Sequence, residues 1–394
     1  MSTDESVYVA GAFEHPTREA PDKSTVQLHA EVARGALDDA GLPKDRVDGY
    51  CSAGMPQDAN ILGPLGMVDY LGLSASQLSM FDTTEVGGPS YLSHVGHAVS
   101  AIRDGKCDVV LVTFAGRPKS EGAATGTGAM EAETIQSSFE SIYGFTIVSM
   151  YAMMARRHMH EFGTTPEQLG EIRAAASHHA QFNEHAMYRD PVTPEDVVDS
   201  AVIADPIHLL DCCVISDGGG AVVLVSEDVR DEIDRECAEV LGHGETIQHH
   251  HAGRTSLTAL GARWSGERAY DEAGVGPGDV DYASIYDSFT ITVLLTLEDL
   301  GFCEKGEGGE FVEDGALRAP DGELPFNTDG GGLCSNHPNR GGMIKLIEAV
   351  DQVRGEAEPE VQVPDCETAL AHGTGGGGSG PRHAAVTTIL GRPD

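Results

Sequence analysis

The chain has 394 residues, 40% of them apolar, which suffices for a large buried core and does not fit a disordered segment. Its 63 acidic and 25 basic residues give a net charge of -38, which repels phosphates and argues against nucleic acid as a partner. The acids are spread along the whole chain. This predicts a halophilic protein whose self-repulsion is screened in concentrated salt. No apolar run is long enough to span a bilayer. The beginning, MSTDESVYVAGAFEHP, lacks the basic region and apolar segment of a secretory signal. The eight cysteines form no CxxC pair and no disulfide-like framework, so a reducing cytoplasm is expected.

In chain order, YVAGAFEH reads as a first strand. Ser24 or Thr25 can cap a helix carrying Val26, Val32, Ala36 and Leu37, which ends at AGLP. VDGYCSAG follows, and then FDTTEVGG. Here a carboxylate, Glu85, stands just ahead of two glycines and Pro89, a residue suited to a first helical turn. Leu92, Val95, Val99 and Ile102 recur at helical spacing, Gly105 ends the run, and CDVVLVTFAG reads as a buried strand. Alternation of strands and helices with glycine-rich turns is an α/β signature.

Residues 117–145 lose this pattern and open a loop excursion that extends to about residue 200. Within it, VSMYAMMARRHMHEF is a helix. Thr165, Pro166 and Gln168 start another with a cap signature, and VTPEDVV repeats the device at Thr193. SDGGGAVVLVSE is a buried strand. Near residue 240 the order restarts with AEVLGHGETI, then a helix over ALGARWSGERAYDEAG and the strand VDYASIYDSF. FTITVLLTLEDLG is a helix with Phe289, Val293, Leu297 and Leu300 on one face and Gly301 as its stop. GGMIKLIEAVDQVRG is a further helix, and ALAHGTGGGGSGPRHAAVTTIL closes the chain with a glycine loop and a strand. Two halves of like order, 1–238 and 239–394, suggest an internal duplication.

YAMMARRHMHEFGTTPEQL, DPIHLLDCCVISDGGGAVVLVS, YDSFTITVLLTLEDLGFCEKGEGGEFVEDG and NTDGGGLCSNHP together resemble the thiolase superfamily, and in particular its sterol-carrier-protein-type branch. The resemblance covers nearly the whole chain. It implies an α/β thiolase fold of two duplicated βαβαβαββ halves in five αβαβα layers, and a homodimer formed through the N-terminal half. A working thiolase carries a nucleophilic cysteine before a buried helix, whose dipole favours the thiolate. By this resemblance Glu85 occupies the cysteine's place. The H-D-C-F loop of the branch reads Tyr286, Asp287, Ser288, Phe289 here. His337 of the G-H-P loop is kept, with Asn336 in place of the glycine, and the last glycine loop has no cysteine. Members that lose the cysteines and carry this tyrosine resemble retro-aldolases of β-hydroxyacyl-CoA thioesters. They act with a small zinc-ribbon/OB-fold partner protein, although they use a second tyrosine where Ser335 stands here.

Retro-aldol cleavage needs a base for the β-hydroxyl and donors for the enolate, with no covalent intermediate. The resemblance gives these roles to Tyr286 as acid/base, His337 as donor or relay, Glu85 as an orienting carboxylate, and Gly375 and Gly376 as oxyanion donors. Asn336 and Ser288 join the substrate-binding set. A coenzyme A thioester is then the substrate, with no bound cofactor or metal. Two other classes stay open: an acetyl-CoA acyltransferase using another cysteine, and a non-catalytic acyl-CoA-binding subunit. Plainer readings stand beside the sharp ones. Glu85 can be a simple helix N-terminal partner, Tyr286 a core tyrosine, and Asp287 with Ser288 the cap of the helix beginning at Phe289. His249, His250 and His251 are consecutive, so they point in different directions and fit a shared metal ion poorly. TGGGGSG lacks the G-K-[ST] ending of a phosphate loop.

Overall fold

The structure, a computed structural model, describes residues 5–53, 63–74, 76–125, 143–144, 146–248, 256–375 and 384–393. Eleven strands carry it: β1 (Val7–Glu14), β2 (Gly49–Cys51), β3 (Met80–Asp82), β4 (Val109–Gly116), β5 (Val202–Ala204), β6 (Ile207–His208), β7 (Gly218–Ser226), β8 (Ala238–Ile247), β9 (Tyr282–Ile285), β10 (Thr368–Gly375) and β11 (Ala384–Gly391). The helices are α1 (Thr25–Ala40), α2 (Gly63–Leu71), α3 (Ser90–Arg103), α4 (Ile147–Phe162), α5 (Pro166–Ala180), α6 (Pro194–Asp199), α7 (Glu227–Arg230), α8 (Ala262–Ala273), α9 (Thr290–Asp299), α10 (Gly308–Phe311), α11 (Gly331–Cys334) and α12 (Gly342–Arg354).

Nine strands form one sheet in the order β3-β2-β4-β7-β1-β8-β11-β10-β9. In the first half β2 runs parallel to β3 and β4, while β4–β7 and β7–β1 are antiparallel. The second half repeats this pattern, with β9–β10 parallel and β10–β11 and β11–β8 antiparallel. On the open side of β9, among the described residues, stands a single parallel bridge between Ala283 and Phe326. The halves join through a short antiparallel contact, Tyr8 opposite Glu239 and Val9 opposite Ala238.

Alternating side chains along each strand point to opposite faces, and the core divides accordingly. Tyr8, Leu111 and Val223 pack against Val32, Ala36 and Leu37 of α1 on one outer side. Val9, Val112 and Val222 face a middle layer made of α3 and α12, through Leu92, Val95, Met343 and Leu346. Ala369, Val386 and Leu390 of the second half close that layer from the other side. Leu370, Ile285 and Ile389 face outward to α8, α9 and the excursion helices α4 and α5. Helices and sheet therefore stack in five layers, the arrangement expected from the sequence.

The local signals explain the elements. Ser24 caps α1 reciprocally with Gln27, Thr165 caps α5 with Gln168, and Thr193 caps α6 with Asp196. Gly301 takes φ +83° just past α9 and ends it. Every residue of α9 is buried, so the single apolar face read from the sequence is a helix enclosed on all sides. Within the excursion, residues 126–142 and 145 lie outside the described residues.

Candidate active site

Ligands of open α/β sheets bind beyond the carboxyl ends of the parallel strands. Tyr286 occupies that place. It is the first residue after β9, its N–H donates to the His372 carbonyl of the parallel neighbour β10 (2.9 Å), and it is 2% exposed. Asn327 fixes the strand end by accepting from the Ile285 N–H and donating to its carbonyl, each at 2.8 Å.

The second component arrives from the loop between α11 and α12. Its Asn336 is fully buried, donating from Nδ2 to Glu14 Oε1 (2.5 Å) and accepting from Ser216 Oγ at Oδ1 (2.7 Å). Ser216 Oγ also accepts from the His337 N–H (2.8 Å), and Arg18 donates to the Ser335 carbonyl (3.1 Å). Thus anchored, the loop brings His337 Nε2 to 3.0 Å from Tyr286 Oη, with the two rings edge to face. Either the phenol donates to a bare Nε2, or a protonated Nε2 donates to the phenolic oxygen.

Backbone supplies the remaining wall. The turn leading into α3 lies on the end of β10 so closely that a Cβ on Gly88 would sit 2.4 Å from the Thr374 carbonyl oxygen and 2.7 Å from the Tyr286 ring. Only glycine allows this contact. Gly375, one of the expected oxyanion donors, ends β10 against Val86 and Pro89. Gly376 lies outside the described residues, as do His249, His250 and His251.

Glu85 is 38% exposed, and its carboxylate is engaged by partners other than Tyr286 and His337. Its Oε1 accepts from the Gly87 N–H (2.8 Å), and Arg340 grips the carboxylate through Nε (3.2 Å) and Nη2 (2.9 Å). Sequence reasoning missed Arg340, although a basic residue three positions after His337 is conspicuous in so acidic a chain. The expected cap of α9 is corrected. Phe289 is the N-cap and carries no side-chain bond, while Asp287 instead accepts from the N–H groups of Gly332 (2.9 Å) and Leu333 (3.1 Å), the first turn of α11. Ser288 is buried with its Oγ 3.5 Å from Thr292 Oγ1 on α9. Sequence reasoning also missed Lys345, whose Nζ lies 3.3 Å from Asp287 Oδ1.

Two buried thiols are poor nucleophiles. Burial pushes the Cys334 thiol up to about 11 and the Cys51 thiol well above its usual value, so neither ionises near neutrality. Among the described residues no three ligating side chains converge on a metal position, and no helix is long and apolar enough to cross a membrane.

A family profile described as thiolase C-terminal domain-like matches residues 244–392. An acetyl-CoA acetyltransferase of Methanothermobacter thermautotrophicus is 35% identical over 381 residues, 94% of this chain and 97% of that protein. A steroid side-chain-cleaving aldolase of Thermomonospora curvata is 32% identical over 351 residues, 84% of this chain and 86% of that protein. Among solved structures, the Ltp2-ChsH2(DUF35) aldolase superposes with a TM-score of 0.86 at 31% identity, covering 98% of both chains. The chain belongs to the thiolase superfamily, in the branch that includes sterol carrier protein 2 and the side-chain-cleaving aldolases.

Proposed function

We propose that the protein cleaves a β-hydroxyacyl-CoA by a retro-aldol reaction, with Tyr286 as acid/base and His337 as its partner. The observation that carries this reading is the 3.0 Å contact between the phenol and the imidazole at the carboxyl end of β9. The similarity to two aldolases supports it.

In this scheme the phenolate of Tyr286, stabilised by a donating Nε2–H, takes the proton of the β-hydroxyl. The Cβ–O bond becomes a carbonyl as the Cα–Cβ bond breaks. The electron pair of that bond moves into the thioester enolate, and the proton returns to Cα. The products are an aldehyde or ketone and a shortened CoA ester. The enolate oxygen is held by backbone N–H groups at Gly375 and Gly376, with the buried Asn336 and Ser288 keeping their loops in place. Glu85 serves the site as the anchor of Arg340 at its mouth rather than as a base. A homodimer, a zinc-ribbon/OB-fold partner, a cytoplasmic location and activity in molar salt belong to the same proposal. The two-component name of the aldolase neighbour supports including a partner in the assay.

A second reading, acyl transfer, is favoured by the 35% identity to an acetyltransferase. It requires a thiolate, which Cys334 and Cys51 are too deeply buried to supply. Mass spectrometry of products in molar salt separates the readings. A β-hydroxyacyl-CoA yielding a carbonyl compound and a shortened CoA ester supports the lyase. CoA-dependent cleavage of a β-ketoacyl-CoA overturns it in favour of acyl transfer. Absence of both products, with and without the co-expressed partner, leaves only a binding subunit.

A further inference from the structure

A lysine lies inside the apolar run GMIKLIEAV at the start of α12. Lys345 is 1% exposed, between Ile344 and Leu346, which are equally buried. An ammonium group in such a place is costly unless it is paired. Its Nζ lies 3.3 Å from Asp287 Oδ1 and 3.9 Å from Asp329 Oδ1, and these carboxylates are 1% and 5% exposed.

The two carboxylates share one task. Asp329 Oδ1 accepts from the Gly331 N–H (2.9 Å), and Asp287 accepts from Gly332 and Leu333 (2.9 and 3.1 Å). Together they hold the first three amides of α11. Asp287 is covalently next to Tyr286, and α11 ends three residues before His337. The contact is close: a Cβ on Gly332 would lie 2.9 Å from Asp287 Oδ1 and 3.2 Å from the His337 ring. One cation therefore faces both of the carboxylates that tie the tyrosine turn to the histidine loop.

We propose that Lys345 is a positioning residue, which through Asp287 and Asp329 fixes the relative placement of Tyr286 and His337. The activity part of this inference rests on the retro-aldol reading, whereas the geometric part does not. Burial opposes the charge on Lys345, but the two facing carboxylates outweigh it and hold the ammonium protonated. Without that charge two buried carboxylates repel each other, and α11 loses the partners of its first turn.

The test uses the full-length protein in its working salt, with Lys345→Met, Lys345→Arg and Asp287→Asn. Hydrogen exchange read by mass spectrometry covers peptides from 331–337 and, as an internal reference, from α1. Exchange in 331–337 is expected to accelerate at least about tenfold in Lys345→Met and Asp287→Asn, with α1 unchanged, because charge-assisted bonds are lost. Lys345→Arg is expected to restore most of the protection. In the retro-aldol assay Lys345→Met is expected to lower kcat about 100-fold, the size associated with an ångström of misplacement, with KM within about twofold. If Lys345→Met does not fold, Asp287→Asn carries both readouts. Unchanged exchange in 331–337 overturns the proposal, as does a kcat per folded molecule equal to wild type. Faster exchange in a protein whose wild type shows no retro-aldol activity upholds the lock and rejects the reaction assigned to the site.

Discussion

Replacing Tyr286 by Phe removes a single oxygen from the candidate site. The ring is 2% exposed and packed against the turn at Gly88, so Phe keeps the buried area and the packing of the ring. What is lost is the 3.0 Å bond to His337 Nε2. A hydrogen bond of this kind contributes about 1 kcal/mol to stability, so Tyr286→Phe is expected to fold with a loss of about 1 kcal/mol or less. The catalytic effect is expected to be far larger. A positioned acid/base contributes about 10²- to 10⁴-fold, or roughly 3–5 kcal/mol in the barrier. The assay is the rate of CoA-ester shortening from a β-hydroxyacyl-CoA, followed by mass spectrometry, beside urea unfolding of the same preparation. A variant that keeps more than about a tenth of the wild-type rate refutes Tyr286 as the acid/base, whatever its stability. A loss of rate accompanied by several kcal/mol of destabilisation assigns the tyrosine to the core instead.

Gly88→Ala is expected to destabilise the protein by about 1–3 kcal/mol and to lower activity, because the new Cβ meets the Thr374 carbonyl at 2.4 Å; wild-type unfolding and turnover would refute the close approach. Arg340→Met breaks a partly exposed ion pair and is expected to change stability by less than about 1 kcal/mol while raising KM more than it lowers kcat; steady-state kinetics decide. Asp82 and Glu245 raise the His97 imidazolium to about 10, above the ordinary value of 6.5. Its contribution to stability is therefore complete below about pH 6.5 and is lost as pH rises toward 10, so unfolding at a series of pH values is expected to show a decline that His97→Gln flattens. Raising salt from about 0.1 M to about 1 M shortens the screening length from about 10 Å to about 3 Å. In a chain of net charge -38 this is expected to raise the unfolding temperature, and a fall or no change would reject the high-salt reading.

Much of the architecture is legible in the sequence because its causes are local. The caps at Ser24, Thr165 and Thr193 and the stop at Gly301 involve neighbours three or four residues apart, and the buried strands announce themselves as short apolar runs. The assembly of the site is not local. Tyr286 and His337 are separated by 51 positions, Glu85 and Arg340 by 255, and Glu14 and Asn336 by 322. No periodicity encodes such pairs. Tyr286 and His337 could be named beforehand because each stands in a loop that resembles a known catalytic loop. Asp287 was misassigned for a related reason, since a short polar residue before a helix ordinarily caps that helix, and its actual partners on α11 lie 45 and 46 positions away.

The excursion touches the site at one remove. Tyr151 of α4 stacks on Phe289 with ring centroids 4.1 Å apart, and Phe289 follows Tyr286 by three residues. Tyr286 and His337, by contrast, are held by β9, β10 and the loop entering α12, all belonging to the duplicated framework. The excursion and the turn that carries Tyr286 are thus joined through an aromatic stack. A lineage that exchanges or lengthens the 147–200 segment must keep a partner for the Phe289 ring, or the turn that carries Tyr286 loses part of the packing beneath it.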